Sequence, residues 1–159
     1  MGKARRRTVL FLASGFGAGL FAPFAPGTFG SLPGVALAFA TTLLPFPAQL
    51  AVCAALTALA VPLCTAAERI LGVKDDGRIA ADEWMLFPLA VAGLPLASLP
   101  WHATLAFFCI VRAIDIVKPP PARRLQDIPG GLGIVLDDLA ANIWSLGLNW
   151  SVFLLFYAI

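Results

Sequence analysis

"PGGLGIVLDDLAANIWSLGLNWSVFLLFYAI", residues 129–159, holds a contradiction that decides the fold. Its last 21 residues carry no charge, and a helix needs about 20 apolar residues to cross a bilayer. Just before that run stand two adjacent carboxylates, Asp137 and Asp138. Ionised carboxylates are costly in such surroundings unless a cation, a metal or water meets them. The glycine turn leads into a helix whose first turns hold both acids, so this stretch predicts a membrane helix with an occupied polar end.

The rest of the chain repeats the plan. It has 159 residues, 60% hydrophobic and 13% charged, with mean hydropathy +0.88; a soluble domain is about a quarter charged. Every Lys, Arg, Asp and Glu falls within residues 3–7, 68–83 or 112–138, leaving 8–67, 84–111 and 139–159 free of charge. These stretches predict a short first helix near 8–21 and spans at 31–45 and 48–67, joined at Pro45-Phe46-Pro47. They also predict a hairpin of short helices turning between Leu94-Pro95 and Trp101-His102, and a last span over 139–159. Each apolar stretch but the last crosses an even number of times, so the three charged clusters share one face. They hold all the cations, so that face is cytoplasmic by the positive-inside rule. The expectation is an all-α, compact integral membrane bundle. It has about five short transmembrane helices plus a short N-terminal helix, forms a single domain over 1–159, and runs from N-terminus in to C-terminus out.

Several function classes fall away. A net charge of +2 and the lack of a basic stripe interleaved with aromatics argue against a nucleic-acid partner. Cys53, Cys64 and Cys109 lie in apolar stretches without metal-ligand spacing and read as packing residues. Met-Gly-Lys-Ala-Arg-Arg-Arg is read as a retained cytoplasmic end rather than a signal peptide. "GFGAG" at 15–19 reads as helix packing by small residues, since no βαβ context surrounds it. The single histidine, His102, falls at the predicted outer turn, away from the charge.

The charged clusters themselves point to chemistry. Asp82-Glu83 opens an apolar helix after the turn Asp75-Asp76-Gly77. Arg112 and Asp115 are three apart on one helix face, and Lys118 follows at an end that Pro119 terminates. With Asp137 and Asp138, three helix ends present an excess of acids at similar depth, which a bound divalent cation explains better than solvated interfacial charge. "APFAPGTFGSLPG", residues 22–34, adds glycines and hydroxyls before a helix. Such a stretch suits an anion site or simple N-capping by Thr28 or Ser31, and it is no Walker loop because no Lys follows the glycines. An anion-binding loop, a carboxylate–metal site and nearby cations together describe phosphoryl chemistry. At a cytoplasmic interface such a site meets a phosphate on a lipid headgroup.

Four motifs in order, "FAPGTFGS" (24–31), "DDGRIAADE" (75–83), "RAIDIVKPPP" (112–121) and "PGGLGIVLDD" (129–138), make the chain resemble the phosphatidylglycerophosphatase A family of bacterial lipid phosphatases over nearly its whole length. The resemblance implies Mg²⁺-dependent hydrolysis of phosphatidylglycerophosphate to phosphatidylglycerol and phosphate, in a multi-pass protein of the bacterial inner membrane with its site facing the cytoplasm. It implies catalytic roles for Asp82, Glu83, Asp115, Asp137 and Asp138. Thr28, Ser31, Arg112 and Lys118 would bind substrate, and Asp75, Asp82, Glu83, Asp137 and Asp138 would ligate metal. Its partners would be that lipid substrate and the bilayer lipids, with no protein partner indicated. The chain departs from the family pattern at Leu86, Val111, Ile114 and Asn142, all read as packing positions beside the site, and Asp127 is not carried over. Other classes are a non-enzymatic divalent-cation transporter or membrane assembly subunit, and a CDP-alcohol phosphotransferase. The first tends to place acids near mid-membrane with repeat symmetry, and the signature of the second is absent.

Overall fold

Among the described residues, 2–157 of this computed structural model, every regular element is helical. Residue 1 of the expected cytoplasmic end and residues 158–159 of the expected last span lie outside them. The order is α1 (Lys3–Ala13), α2 (Ala18–Phe21), α3 (Pro26–Thr41), α4 (Phe46–Leu71), α5 (Ala81–Ala90), a 3-10 turn at Leu96–Ser98, α6 (Trp101–Val117), α7 (Ala122–Leu125) and α8 (Gly131–Phe156). Two helices, α4 and α8, have 26 residues each and the composition of membrane spans. At 1.5 Å per residue each is about 39 Å long. Only 22% of the most apolar window of each is buried, whereas the core helix of a soluble protein hides most of its apolar surface. Leu50, Leu59, Ile143, Leu148 and Leu154 instead face outward.

Local sequence explains where the elements differ from expectation. The single helix expected over 8–21 starts at Lys3 and breaks after Ala13, because Gly15, Phe16 and Gly17 all take positive φ (65°, 58° and 92°). A side chain at Gly15 would run into the Gly30 carbonyl of α3. The "GFGAG" stretch is therefore a left-handed corner against α3, not a packing face within one helix. Helix α3 begins at Pro26, with proline at its first position, where no N–H is needed. Thr28 and Ser31 lie inside its first turns rather than capping it.

The expected hairpin is lopsided. Its first arm, α5, has ten residues and reaches only about 15 Å, but it is the buried centre of the bundle. Met85, Leu86 and Phe87 are at most 5% exposed. Glycine brings α3 against it: a Cβ on Gly34 would lie 2.7 Å from Phe87 Cβ and from the Trp84 carbonyl. Beyond α5 the chain is irregular yet buried, with Val91, Leu94 and Leu96 each 1% exposed. Backbone groups freed there need partners, and three side chains provide them. Asn149 Nδ2 donates to Ala90 O at 2.9 Å, Trp150 Nε1 donates to Ala92 O at 3.0 Å, and Gly93 N donates to Gln49 Oε1 at 2.9 Å. His102 stands at this end, edge-on to Trp101 and tilted against Tyr157.

Candidate active site

At the opposite end, the N-termini of α3, α5 and α8 meet the C-termini of α4 and α6. Arg112 of α6 is the bridge. One guanidinium nitrogen, Nη1, lies 2.7 Å from Glu83 Oε2 of α5 and 3.1 Å from Asp115 Oδ2 one turn later on its own helix. All three side chains are nearly closed off from solvent, between 12% and 14% exposed. Lys118 caps α6 in a left-handed turn (φ 48°), which Pro119 follows, and its ammonium is ion-paired with Asp137 of α8. Burial works against that ammonium, but the hydrogen bond and charge of Asp137, with the further charges of Asp138 and Asp115, outweigh it and raise its pKa above the ordinary lysine value. Lys118 therefore stays charged throughout the physiological range. Asp138, 4% exposed, has no cation at contact distance among the described residues and faces Asp115, Asp82 and Glu83.

The anion-loop candidate joins the same place. The first turn of α3 lies directly over α5: a Cβ on Gly27 would sit 2.5 Å from Glu83 Oε1. The two hydroxyls of this segment differ. Thr28 is half-buried at the first turn, whereas Ser31 is 1% exposed and its Oγ donates to the Thr28 carbonyl at 2.9 Å. Ser31 thus closes its own helix turn. Asp75 lies exposed in the α4–α5 connection with φ 49°, within electrostatic range of Asp82 and Asp137. Its neighbour Asp76 pairs with Arg78 at 2.6 Å, and that hydrogen bond holds the Asp76 carboxyl below its usual pKa. The structure thus brings together Asp82, Glu83, Arg112, Asp115, Lys118, Asp137 and Asp138, sets Gly27 and Thr28 above them, and leaves Asp75 at the rim.

Supporting residues to which sequence reading gave no role in the site hold these ends in register. Thr65 of α4 accepts the Gly131 N–H at 3.1 Å, satisfying an otherwise unpaired first-turn amide of α8. A Cβ at Gly131 would collide with the α4 backbone at Val61 and Thr65. Asn142, a departure from the family pattern, donates to the Asp138 carbonyl at 2.8 Å. Trp84 Nε1 donates to Leu12 O at 3.1 Å, and Trp144 Nε1 to Pro120 O at 3.0 Å, tying α1 and the proline run to the helices that carry the acids. Of the three cysteines expected to pack, Cys53 and Cys64 are buried and Cys109 is exposed on α6; Cys64 packs beside Asp82. Nothing in its spacing signals this, since it comes from a helix that contributes no charge to the centre.

Three carboxylate oxygens here, Asp82 Oδ1, Asp137 Oδ1 and Glu83 Oε2, are buried without a hydrogen-bond partner among the described residues, as is Arg112 Nε; of the three, Glu83 Oε2 has its ion pair with Arg112. Unpartnered buried carboxylate oxygens are costly and make an all-oxygen donor set of the kind hard cations take. Among the described residues no three His, Cys, Asp or Glu side chains already form a ready-made ligand cluster.

Comparison with known proteins follows the same residues. The family profile described as phosphatidylglycerophosphatase A matches residues 11–153. A phosphatidylglycerophosphatase A of Escherichia coli strain K12 is 36% identical over 142 residues, covering 89% of this chain and 81% of that one. Its counterpart in Haemophilus influenzae is 39% identical over 137 residues, covering 85% and 82%. A Bacteroides thetaiotaomicron protein with the provisional name phosphatidylinositol-3-phosphatase is 35% identical over 150 residues, covering 86% and 87%. No solved structure gives a significant match. With the motifs gathered into one centre and the likeness running along most of the chain, this protein belongs to the phosphatidylglycerophosphatase A family.

Proposed function

We propose that the chain is a Mg²⁺-dependent lipid phosphomonoesterase that releases the terminal phosphate of phosphatidylglycerophosphate, leaving phosphatidylglycerol, at the cytoplasmic face of the bacterial inner membrane. The observation that carries this reading is the charge of the centre: five carboxylates converge with only two cations. Such a centre repels a phosphate dianion unless a further cation joins it. Asp82 and Asp137, with their unpartnered oxygens, and Asp138 beside them would hold the ion. Mg²⁺ takes one or two carboxylates and keeps several waters, so a ready-made cluster of three ligands is not needed. When bound, the ion supplies charge neutralisation at the phosphoryl oxygens.

The chain's own side chains carry the remaining tasks. Arg112 holds Glu83 and Asp115 in fixed positions and presents its Nε edge inward. Lys118 pins one oxygen of Asp137, leaving Oδ1 directed at the centre. Asp115 and Asp138 face each other beside the position of the phosphoryl group, placed to pass a proton to the glycerol oxygen as water takes its place on phosphorus. The Gly27–Thr28 turn contributes backbone N–H groups at a helix N-terminus, where anions are favoured. Gathering the acids at one end of the bundle fits an interfacial enzyme better than a transport path.

The topology proposed with this function has five passes, α3, α4, α5, α6 and α8, with the acid end inside. The short α5 reaches halfway and the connection after it, buried at Val91, Ala92, Leu94 and Leu96 and largely exposed from Ala97 on toward the outer turn, completes the pass; a membrane tolerates irregular backbone where protein encloses it. Single cysteines at positions 74 and 123 should label from the cytoplasmic side only, and periplasmic labelling of either would refute the single-face site.

The deciding experiment is phosphate release by the purified protein from phosphatidylglycerophosphate, phosphatidic acid and phosphatidylinositol 3-phosphate, with Mg²⁺ and with chelator. Fastest release from the first, abolished by chelator and restored by Mg²⁺, is expected. Release from none of them, or release indifferent to chelator, would overturn the reading. Preference for the inositol lipid would move the substrate toward that of the Bacteroides relative's name.

A further inference from the structure

A groove of about 450 Å³ runs between α1 and α2, away from the acid centre, lined chiefly by Arg7, Leu10, Phe11, Gly17, Leu20 and Phe21. Its walls are apolar apart from Arg7 and the neighbouring Thr8. None of Lys3, Arg5, Arg6 and Arg7 forms an ion pair among the described residues. A cationic head over an apolar trough is the inverse of an anionic phospholipid. The rim has the character of an interfacial segment, with Phe21 86%, Phe24 68% and Phe11 49% exposed beside the basic turn. Exposed aromatics and cations together seat a segment at the boundary of headgroups and acyl chains.

The α2 wall of the groove packs directly on the segment that leads into the acid centre. Gly19 of α2 packs so closely that a Cβ there would lie 3.1 Å from the Arg78 carbonyl and 3.3 Å from the Pro26 carbonyl. Pro26 precedes Gly27, the residue lying over Glu83. The far end of α1 is bonded to α5 through Ala80 N to Ala13 O at 2.7 Å and Trp84 Nε1 to Leu12 O at 3.1 Å. We propose that the α1–α2 groove is a docking site for an anionic diacylphospholipid, with its phosphodiester at Arg7 and an acyl chain along Leu10, Phe11, Leu20 and Phe21, and that substrate reaches the acids from this seat. The delivery step rests on the phosphatase reading above; the lipid seat does not.

The test reads the seat without turnover. Full-length protein in phosphatidylcholine vesicles is photolabelled with a trace of acyl-chain diazirine phosphatidylglycerol, or with the same probe on phosphatidylcholine, and labelled residues are mapped by mass spectrometry. One cation near an anionic lipid favours it by a factor of about five. Residues 7–21 should therefore label about fivefold more with the anionic probe, and Arg7→Gln should bring that ratio to about one while labelling of α4 and α8 stays as it was. Equal labelling of 7–21 by both probes, or a preference that survives Arg7→Gln, overturns the seat. Preferential labelling by a protein that releases no phosphate would overturn only the phosphatase reading.

Discussion

Gly27→Ala is the sharpest perturbation of the centre, because it adds one carbon where the structure leaves no space. The new Cβ would lie 2.5 Å from Glu83 Oε1 and 3.2 Å from Glu83 Cδ. A carbon and a carbonyl-type oxygen settle at about 3.3 Å or more, so the carboxylate must retreat by about 0.8 Å. Its other oxygen is 2.7 Å from Arg112, so the retreat disturbs that ion pair and through it Asp115. A displacement of about 1 Å at a catalytic centre costs up to about a hundredfold in rate. We expect kcat to fall between about tenfold and a hundredfold, equivalent to about 1.4–2.7 kcal/mol of barrier. Stability should move the other way or hardly at all. The displaced group is the end of a flexible side chain, and alanine favours the helix over glycine by up to about 1 kcal/mol. The assay is phosphate release from phosphatidylglycerophosphate in mixed micelles, with the melting temperature measured on the same sample. Gly77→Ala is the control, since its Cβ would meet only Pro26 Cγ at 3.8 Å. Shortening the acid with Glu83→Asp in the Gly27→Ala background should recover part of the rate. Wild-type kcat in Gly27→Ala, or an equal loss in Gly77→Ala, would refute the placement of the α3 turn over Glu83.

Arg112→Lys should lower kcat/KM at least about tenfold, or about 1.4 kcal/mol, since an ammonium replaces a planar fork poorly; near-normal activity would leave Arg112 outside the chemistry. Asp137→Asn and Asp138→Asn should both abolish turnover and weaken Mg²⁺ binding. The second should keep its melting temperature because Asp138 has no paired cation, whereas the first strands Lys118 and should melt earlier. If both keep wild-type activity at low Mg²⁺, the metal assignment is wrong. Gly131→Ala forces a carbon into the α4 backbone and should cost about 1–3 kcal/mol of stability, as overpacking does; an unchanged melting temperature would contradict the close α4–α8 approach.

Charge placement made much of this centre legible. Asp82-Glu83, the Arg112–Asp115–Lys118 series and Asp137-Asp138 each sit at a boundary between charged and charge-free sequence, and boundaries of that kind are where helices leave a membrane. Their convergence is what the expected parity of crossings requires, an expectation that needs no knowledge of packing. Details that depend on close backbone contact were not legible. Gly15 and Gly17 read as helix-packing residues, and the corner they make shows only in their positive φ and the nearby Gly30 carbonyl. The length of α5 was hidden because Val91 to Leu96 are as apolar as a helix interior, while the groups that satisfy the broken backbone, Gln49, Asn149 and Trp150, come from two other helices. Ser31 carried a plausible anion-site signature, but its hydroxyl is spent on its own helix turn.

The half-length helix that presents Asp82 and Glu83 is tied at its inner end to α4 and α8 by Gln49, Asn149 and Trp150. An ordinary spanning helix adjusts to bilayer thickness by tilting or sliding, and any acid it carried would rise or sink with it. A helix anchored within the protein does not. Its carboxylates keep a set elevation relative to α4 and α8, so under the proposed five-pass topology the distance between the reaction plane and the bilayer midplane is a dimension of the protein itself, insensitive to how thick the surrounding lipid happens to be.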